Sequence, residues 1–341
     1  MDNTIVERCT CRVRAGLHVR RRRRAPTRTT PEATLVGHAV PVTSRTAPAP
    51  LAPVSGVPAL PAAFFVFVWA SGYIAGPIGV EAVSPFWVVT LRFAGAAVLL
   101  YPLARFRHGA LRISRQDLLR VSASGLVMNA VFFGSVYAAF ELGLQATIAA
   151  LLHALSPVLT AVLAGVLLGE RLTRRQVLGF GLGVAGVLVV LGPDISSAGG
   201  LWGLLLGLVS LAALSLGTLG QRWIGVRTDA VWSATLQCAV CVPPLLLLAV
   251  LLEGAPSVSQ PLAAGLSVLW MAGVNSLGGL LLLGLLVRRG GAGASASLFF
   301  LMPPVTAVSA WLVLDETLSP LALVGLGLST VGVAIATRRR A

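Results

Sequence analysis

The 341-residue chain is 56% hydrophobic and only 11% charged, with a mean hydropathy of +0.87. A soluble domain carries about a quarter charged residues, so these proportions exclude one and make lipid the solvent for most of the chain. All 26 basic residues are Arg, and the net charge of +14 follows the loops instead of gathering into a nucleic-acid-binding face.

Residues 1–60 hold 10 Arg against 3 acids, with a block from Arg20 to Arg24 and then a Pro-, Ala- and Thr-rich stretch. Such a segment cannot bury enough apolar surface to offset the entropy of ordering. It reads as a disordered cytoplasmic tail whose Arg block touches anionic lipid. No apolar core follows the charges, so it is not a secretory signal. The alternative is a mis-assigned start, since Met1 is the only Met before Met128.

Apolar runs long enough to cross a bilayer then follow one another, near 60–80, 85–104, 118–140, 145–168, 175–192, 200–224, 230–252, 263–287, 292–314 and 319–337. The first carries Trp69 and Tyr73 one turn apart, either an aromatic lining or plain packing. In the second, Arg92 is a charge inside the span; it either binds a substrate carboxylate or pairs with Glu141 or Glu81. The third and eighth place Asn129 and Asn275 near mid-span, as donors and acceptors for a solute or as interhelical glue. The fourth has His153, Ser156 and Pro157 around its centre, and the ninth Met302, Pro303 and Pro304. A mid-span Pro frees a backbone carbonyl and kinks the helix, so Pro157, Pro303 and Pro304 are candidate gating positions. His153 is the one group near the centre of its span that could take up a proton. Cys238 and Cys241 read as two small apolar residues a turn apart, not as a metal or redox pair. Gly179-x-x-x-Gly183 and Gly203-x-x-x-Gly207 are small faces for close packing. Trp87, Trp202, Trp223 and Trp232 fit an interfacial belt.

The loops set orientation. Odd-numbered loops contain Glu81, Glu141, Asp194, Glu253, Asp315 and Glu316 and no Arg, while even-numbered loops hold Arg105, Arg107, Arg112, Arg115, Arg171, Arg174, Arg175, Arg222, Arg227, Arg288 and Arg289. Positive loops stay on the cytoplasmic side, which puts both termini there.

The chain is also written twice. Residues 146–190 and 292–336 align without a gap at an offset of 146 and share 17 of 45 residues, including Pro157 with Pro303, Glu170 with Glu316, Gly179 with Gly325 and Gly186 with Gly332. This is an internal duplication. An odd number of spans per copy turns the second upside down, and the flanking charges agree: the basic Glu170–Arg175 loop corresponds to the Arg-free Glu316–Pro320 loop. The expected fold is therefore an all-α integral membrane protein of ten transmembrane helices in two inverted-topology five-helix repeats, 61–193 and 200–338. Inverted repeats point to alternating access with a solute site near the midplane. No phosphate loop is present to couple ATP.

Ser156-Pro157 through Gly169-Glu170-Arg171-Leu172 to Gly179–Gly186, and Met302-Pro303 through Asp315-Glu316 to Gly325–Gly332, resemble the EamA-type members of the drug/metabolite transporter superfamily. Trp69-x-Ser71 and Leu91-Arg92-Phe93 also look like that family, and the likeness covers nearly all of residues 62–338. It implies a ten-helix bundle with a central cavity lined chiefly by the first, third, fourth and sixth spans and their repeat partners. It also implies export or exchange of small metabolites such as amino acids across a bacterial inner membrane, with no catalytic residue and no cofactor. The expected partners are a small-molecule solute and membrane lipid, with a homodimer allowed and nucleic acid excluded. A multidrug efflux transporter is the alternative. An intramembrane hydrolase using Ser156 and His153 lacks both a nucleophile turn and a third orienting group.

Overall fold

The computed structural model describes residues 59–168, 173–191, 195–224, 229–279, 281–282, 285–286, 298–317 and 319–337. The expected disordered tail lies outside them, as do Glu170, Arg171, Asp194, Arg227, Arg288 and Arg289.

Every regular element among the described residues is helical. The first apolar run is α1 (Ala59–Ala70) and α2 (Gly72–Ala82), parted at Ser71. Helix α3 covers Pro85–His108, with Ser84 before it and Pro85 at a position where its missing N–H costs nothing. The third run is α4 (Arg115–Gly125), a π-helical segment (Leu126–Val131) and α5 (Phe132–Glu141). The fourth is α6 (Ala146–Ala154) and α7 (Ser156–Leu168), followed by α8 (Arg174–Leu191), α9 (Gly200–Ile224) and α10 (Ala230–Leu248). A π-helical segment (Ala249–Glu253) closes the α10 run, and another (Trp270–Gly278) continues α11 (Pro261–Leu269). Helices α12 (Met302–Val313) and α13 (Pro320–Thr337) complete the set.

Local chemistry sets several of the helix starts. Ser114 accepts from the Asp117 amide at the head of α4, and Asp229 accepts from Val231 and Trp232 at the head of α10. Thr173 and Gln176 exchange backbone-to-side-chain bonds before α8, a capping box.

Eight helical stretches are long and apolar enough to cross a membrane, from Ala59–Ala82 to Pro261–Gly278; Met302–Val313 and Pro320–Gly332 are shorter apolar helices. The expected ninth span begins in residues that are not described. Large apolar side chains such as Phe106, Leu262 and Trp202 are 88, 76 and 71% exposed, which a bilayer-facing surface requires and a water-facing one would not tolerate over such an area. Trp232 departs from the expected belt: it is buried, edge-on to Tyr101.

Helices α8 and α13 pack through glycine. A Cβ on Gly186 would lie 2.6 Å from the Gly325 carbonyl, and one on Gly332 would lie 2.7 Å from the Gly179 carbonyl. Under the 146-residue offset each of these contacts is the image of the other. Between them, Ser329 Oγ donates to the Gly183 carbonyl at 3.1 Å, a bond between two residues that are 146 apart.

Several long-range ties gather at one end of the bundle. Val83 pairs with Val258 and Leu144 with Ala198 as isolated antiparallel bridges. The Glu253 carboxylate accepts from the Phe86 and Trp87 amides at the head of α3. Glu316 accepts from the Ala146 and Thr147 amides and the Thr147 hydroxyl at the head of α6. Both helices are thus capped from a distant loop, by anions placed where the helix dipole favours them.

Candidate functional site

The fourth apolar run is broken, not bent. The Leu155 amide turns back to the Leu152 carbonyl, α6 stops, and Ser156 opens α7. Pro157 lies in the first turn of α7 and faces outward. The ninth run repeats this, with a 3₁₀ turn at Leu298–Leu301 before Met302, and Pro303 and Pro304 in the first turn of α12. Each proline therefore starts a segment where no donor is lost.

The break leaves His153 at the end of α6, 5% exposed. Its Nε2 lies 2.7 Å from Ser210 Oγ and its Nδ1 3.0 Å from Tyr73 Oη. Ser210 already donates to the Gly207 carbonyl at 2.6 Å, so it accepts from His153. That fixes the proton on Nε2 and leaves Nδ1 to accept from Tyr73, which is the pattern of a neutral ring. The edge of Phe132 packs against the same ring. Ser156 is not among its partners: its hydroxyl lies 3.1 Å from Ser215 Oγ, which itself donates to the Leu211 carbonyl. The serine and histidine read together from the sequence thus serve different neighbours.

Trp69 and Tyr73 fall on either side of the Ser71 break. Trp69 packs with Phe65 and Met302, whereas Tyr73 reaches His153. The two asparagines occupy two of the π-helical segments, a geometry frequent at functional positions. Asn275 donates to the Val68 carbonyl and, at 3.4 Å, to Ser71 Oγ, while its Oδ1 is buried without a partner. Asn129 lies on the segment beside α10, where Cys241 donates to the Gly125 and Gln237 carbonyls. Beside it Gln221 donates to Gln237, and Gln237 to Ser233.

Arg92 is 7% exposed. Its Nη1 donates to Tyr137 Oη at 2.9 Å and approaches Met271 Sδ at 4.0 Å, and the guanidinium lies 4.1 Å from the Phe133 ring centroid. Among the described residues the ion pairs are His108–Asp229 and Asp117–Arg120. The pairing of Arg92 with Glu141 or Glu81 is thus not made, and Nε is buried with no acceptor. Tyr137, Met271 and Ser210 were not singled out in the sequence. Tyr137 is the only Tyr of its run, the one signal that could have marked it.

A model of the EamA-like transporter family matches residues 58–192 and again 201–338. The chain belongs to the EamA-like transporter family. This EamA chain is 27% identical to a "Probable amino-acid metabolite efflux pump" of Salmonella typhimurium, over 79% of its own length and 91% of the relative's. It is 30% identical to a "Probable terminal-alkyne amino-acid exporter" of Streptantibioticus cattleyicolor, over 80% and 91%. A solved crystal structure superposes with a TM-score of 0.59 over 82% of this chain and 97% of that one, at 19% identity, a likeness of fold alone. Two EamA copies in an all-helical, multi-pass membrane protein account for the duplicated glycines and the paired breaks.

Proposed function

We propose that this protein exports a small amphipathic metabolite, an amino acid or a close relative, by alternating access. In this reading ten spans form two inverted five-helix units, and both termini lie on the cytoplasmic side of the inner membrane. The bond between Ser329 and Gly183, one repeat apart, carries the reading: a residue touches its own counterpart only near an axis relating the two copies. Such an axis lets the halves exchange shapes and expose one midplane site to either side. The names of the relatives support the solute class, and the paired breaks at Leu155 and Leu301 support hinged helices.

The solute site lies among Tyr73, Asn129, Asn275 and His153, with Trp69, Arg92 and Ser156 nearby. Comparing the extracellular metabolites of cells with and without the chain tests the reading. Accumulation of an amino-acid-class compound outside only the expressing cells is expected, and identical profiles would refute export. Asn129→Ala and Asn275→Ala should each reduce that efflux more than they reduce membrane abundance; equal loss of both would make them structural.

A further inference from the structure

We propose that Arg92 anchors the carboxylate of the transported solute, and that it stands where the two repeats cross so that one guanidinium serves the site whichever side is open. The proposal rests on the exporter reading and names the group that the site grips.

Arg92 is a buried cation without an anion. Phe133 and Phe93 stack against it and Tyr137 accepts one of its bonds, contacts that partly screen the charge but do not neutralise it. Its contacts with Tyr137 and Met271 both leave from Nη1, and Nε is buried and unpartnered. A planar fork with unused donors matches a carboxylate, which can take two parallel bonds from it. Intramembrane charges face partners or pathways, and no protein carboxylate among the described residues is this one's partner.

The position of Arg92 is the second argument. Its counterpart at the repeat offset is Cys238, on helix α10, and α10, which is the counterpart of α3, packs along α3. A helix therefore packs along its own counterpart here, as α8 and α13 do where Ser329 bonds Gly183. These two points mark a line through the bundle about which the copies are related. A group on that line keeps nearly the same place when the halves exchange conformations. One charge is then enough, which accounts for an Arg in one copy and a Cys in the other, where a second Arg would bring two cations together. The aromatic wall of Phe93, Phe133 and Tyr137 favours an apolar body behind the carboxylate.

The test uses the full chain in liposomes loaded with an equimolar mixture of the proteinogenic amino acids and, separately, with their carboxamides; efflux is read by mass spectrometry. Wild type should move at least one amino acid about tenfold faster than its carboxamide. Arg92→Gln should bring that acid-to-amide ratio close to one, and Arg92→Lys should retain part of it. Wild-type carboxamides moving as fast as the acids overturns the proposal without recourse to any variant. So does an Arg92→Gln protein that slows acid and amide equally, the mark of a purely structural role. If wild type moves no amino acid at all, the solute class fails and the anchor falls with it.

Discussion

At the scale of single residues, Glu316 does more than mark an acidic loop. Its two oxygens accept three bonds from the head of α6, and Asp315, at φ 54°, makes the left-handed turn that ends α12 and aims Glu316 back. The counterpart of Asp315 is Gly169, the residue type that adopts such a turn at least cost. Glu316→Ala should lose about 2–3 kcal/mol, because charge-assisted bonds are among the stronger ones and the orphaned amides are partly buried. A fall of several degrees in the melting temperature of the detergent-solubilised protein would register this, with Glu316→Gln in between. Asp315→Gly should be tolerated, whereas Asp315→Val should destabilise by about 1–2 kcal/mol. His153 carries a different expectation. Both ring nitrogens are taken by hydroxyls, so His153→Gln should lower the transport rate and leave its pH dependence unchanged; a lost or displaced pH profile would restore the ring as a proton carrier.

At the scale of elements, the α8–α13 crossing is the most demanding contact. Gly186→Ala would push a methyl group to 2.6 Å from the Gly325 carbonyl and 2.7 Å from the Ser329 amide, backbone groups that cannot step aside. The cost should be about 3 kcal/mol, seen as a loss of folded protein by fluorescence-detection size exclusion. Gly181→Ala is the control: nothing lies within 4 Å of the added carbon, and helix propensity favours Ala by up to about 1 kcal/mol. Sequence makes this much legible because glycine, proline and asparagine recur at one offset, and each has a backbone or polar consequence that can be named without coordinates. The π-helical turns around Asn129 and Asn275 were not legible, since they depend on which neighbour each asparagine meets. Nor were the remote caps, because nothing local connects Glu253 to Phe86 or Glu316 to Ala146. The helix breaks fall at Leu155 and Leu301, each two residues ahead of a proline that sits in the first turn of the next segment.

At the scale of the whole molecule, the copies touch through pairs that are images of each other, Gly186 with Gly325 and Gly332 with Gly179. Self-complementary contacts of this kind arise when two units are related by a twofold rotation. If that axis lies in the membrane plane, corresponding loops must emerge on opposite sides. Arg175 and Thr317 lie in the corresponding segments 170–175 and 316–321 of the two copies, and both are exposed. With all four native cysteines replaced, Arg175→Cys should react with a membrane-impermeant maleimide only in inside-out vesicles, and Thr317→Cys only in intact spheroplasts. Labelling of both from one side would place the copies in parallel, and a parallel pair offers no exchange of inward and outward shapes. The positive charge on the Arg175 side and its absence around Thr317 argue for the first outcome, which would make the crossing point at Arg92 a site reached from both compartments.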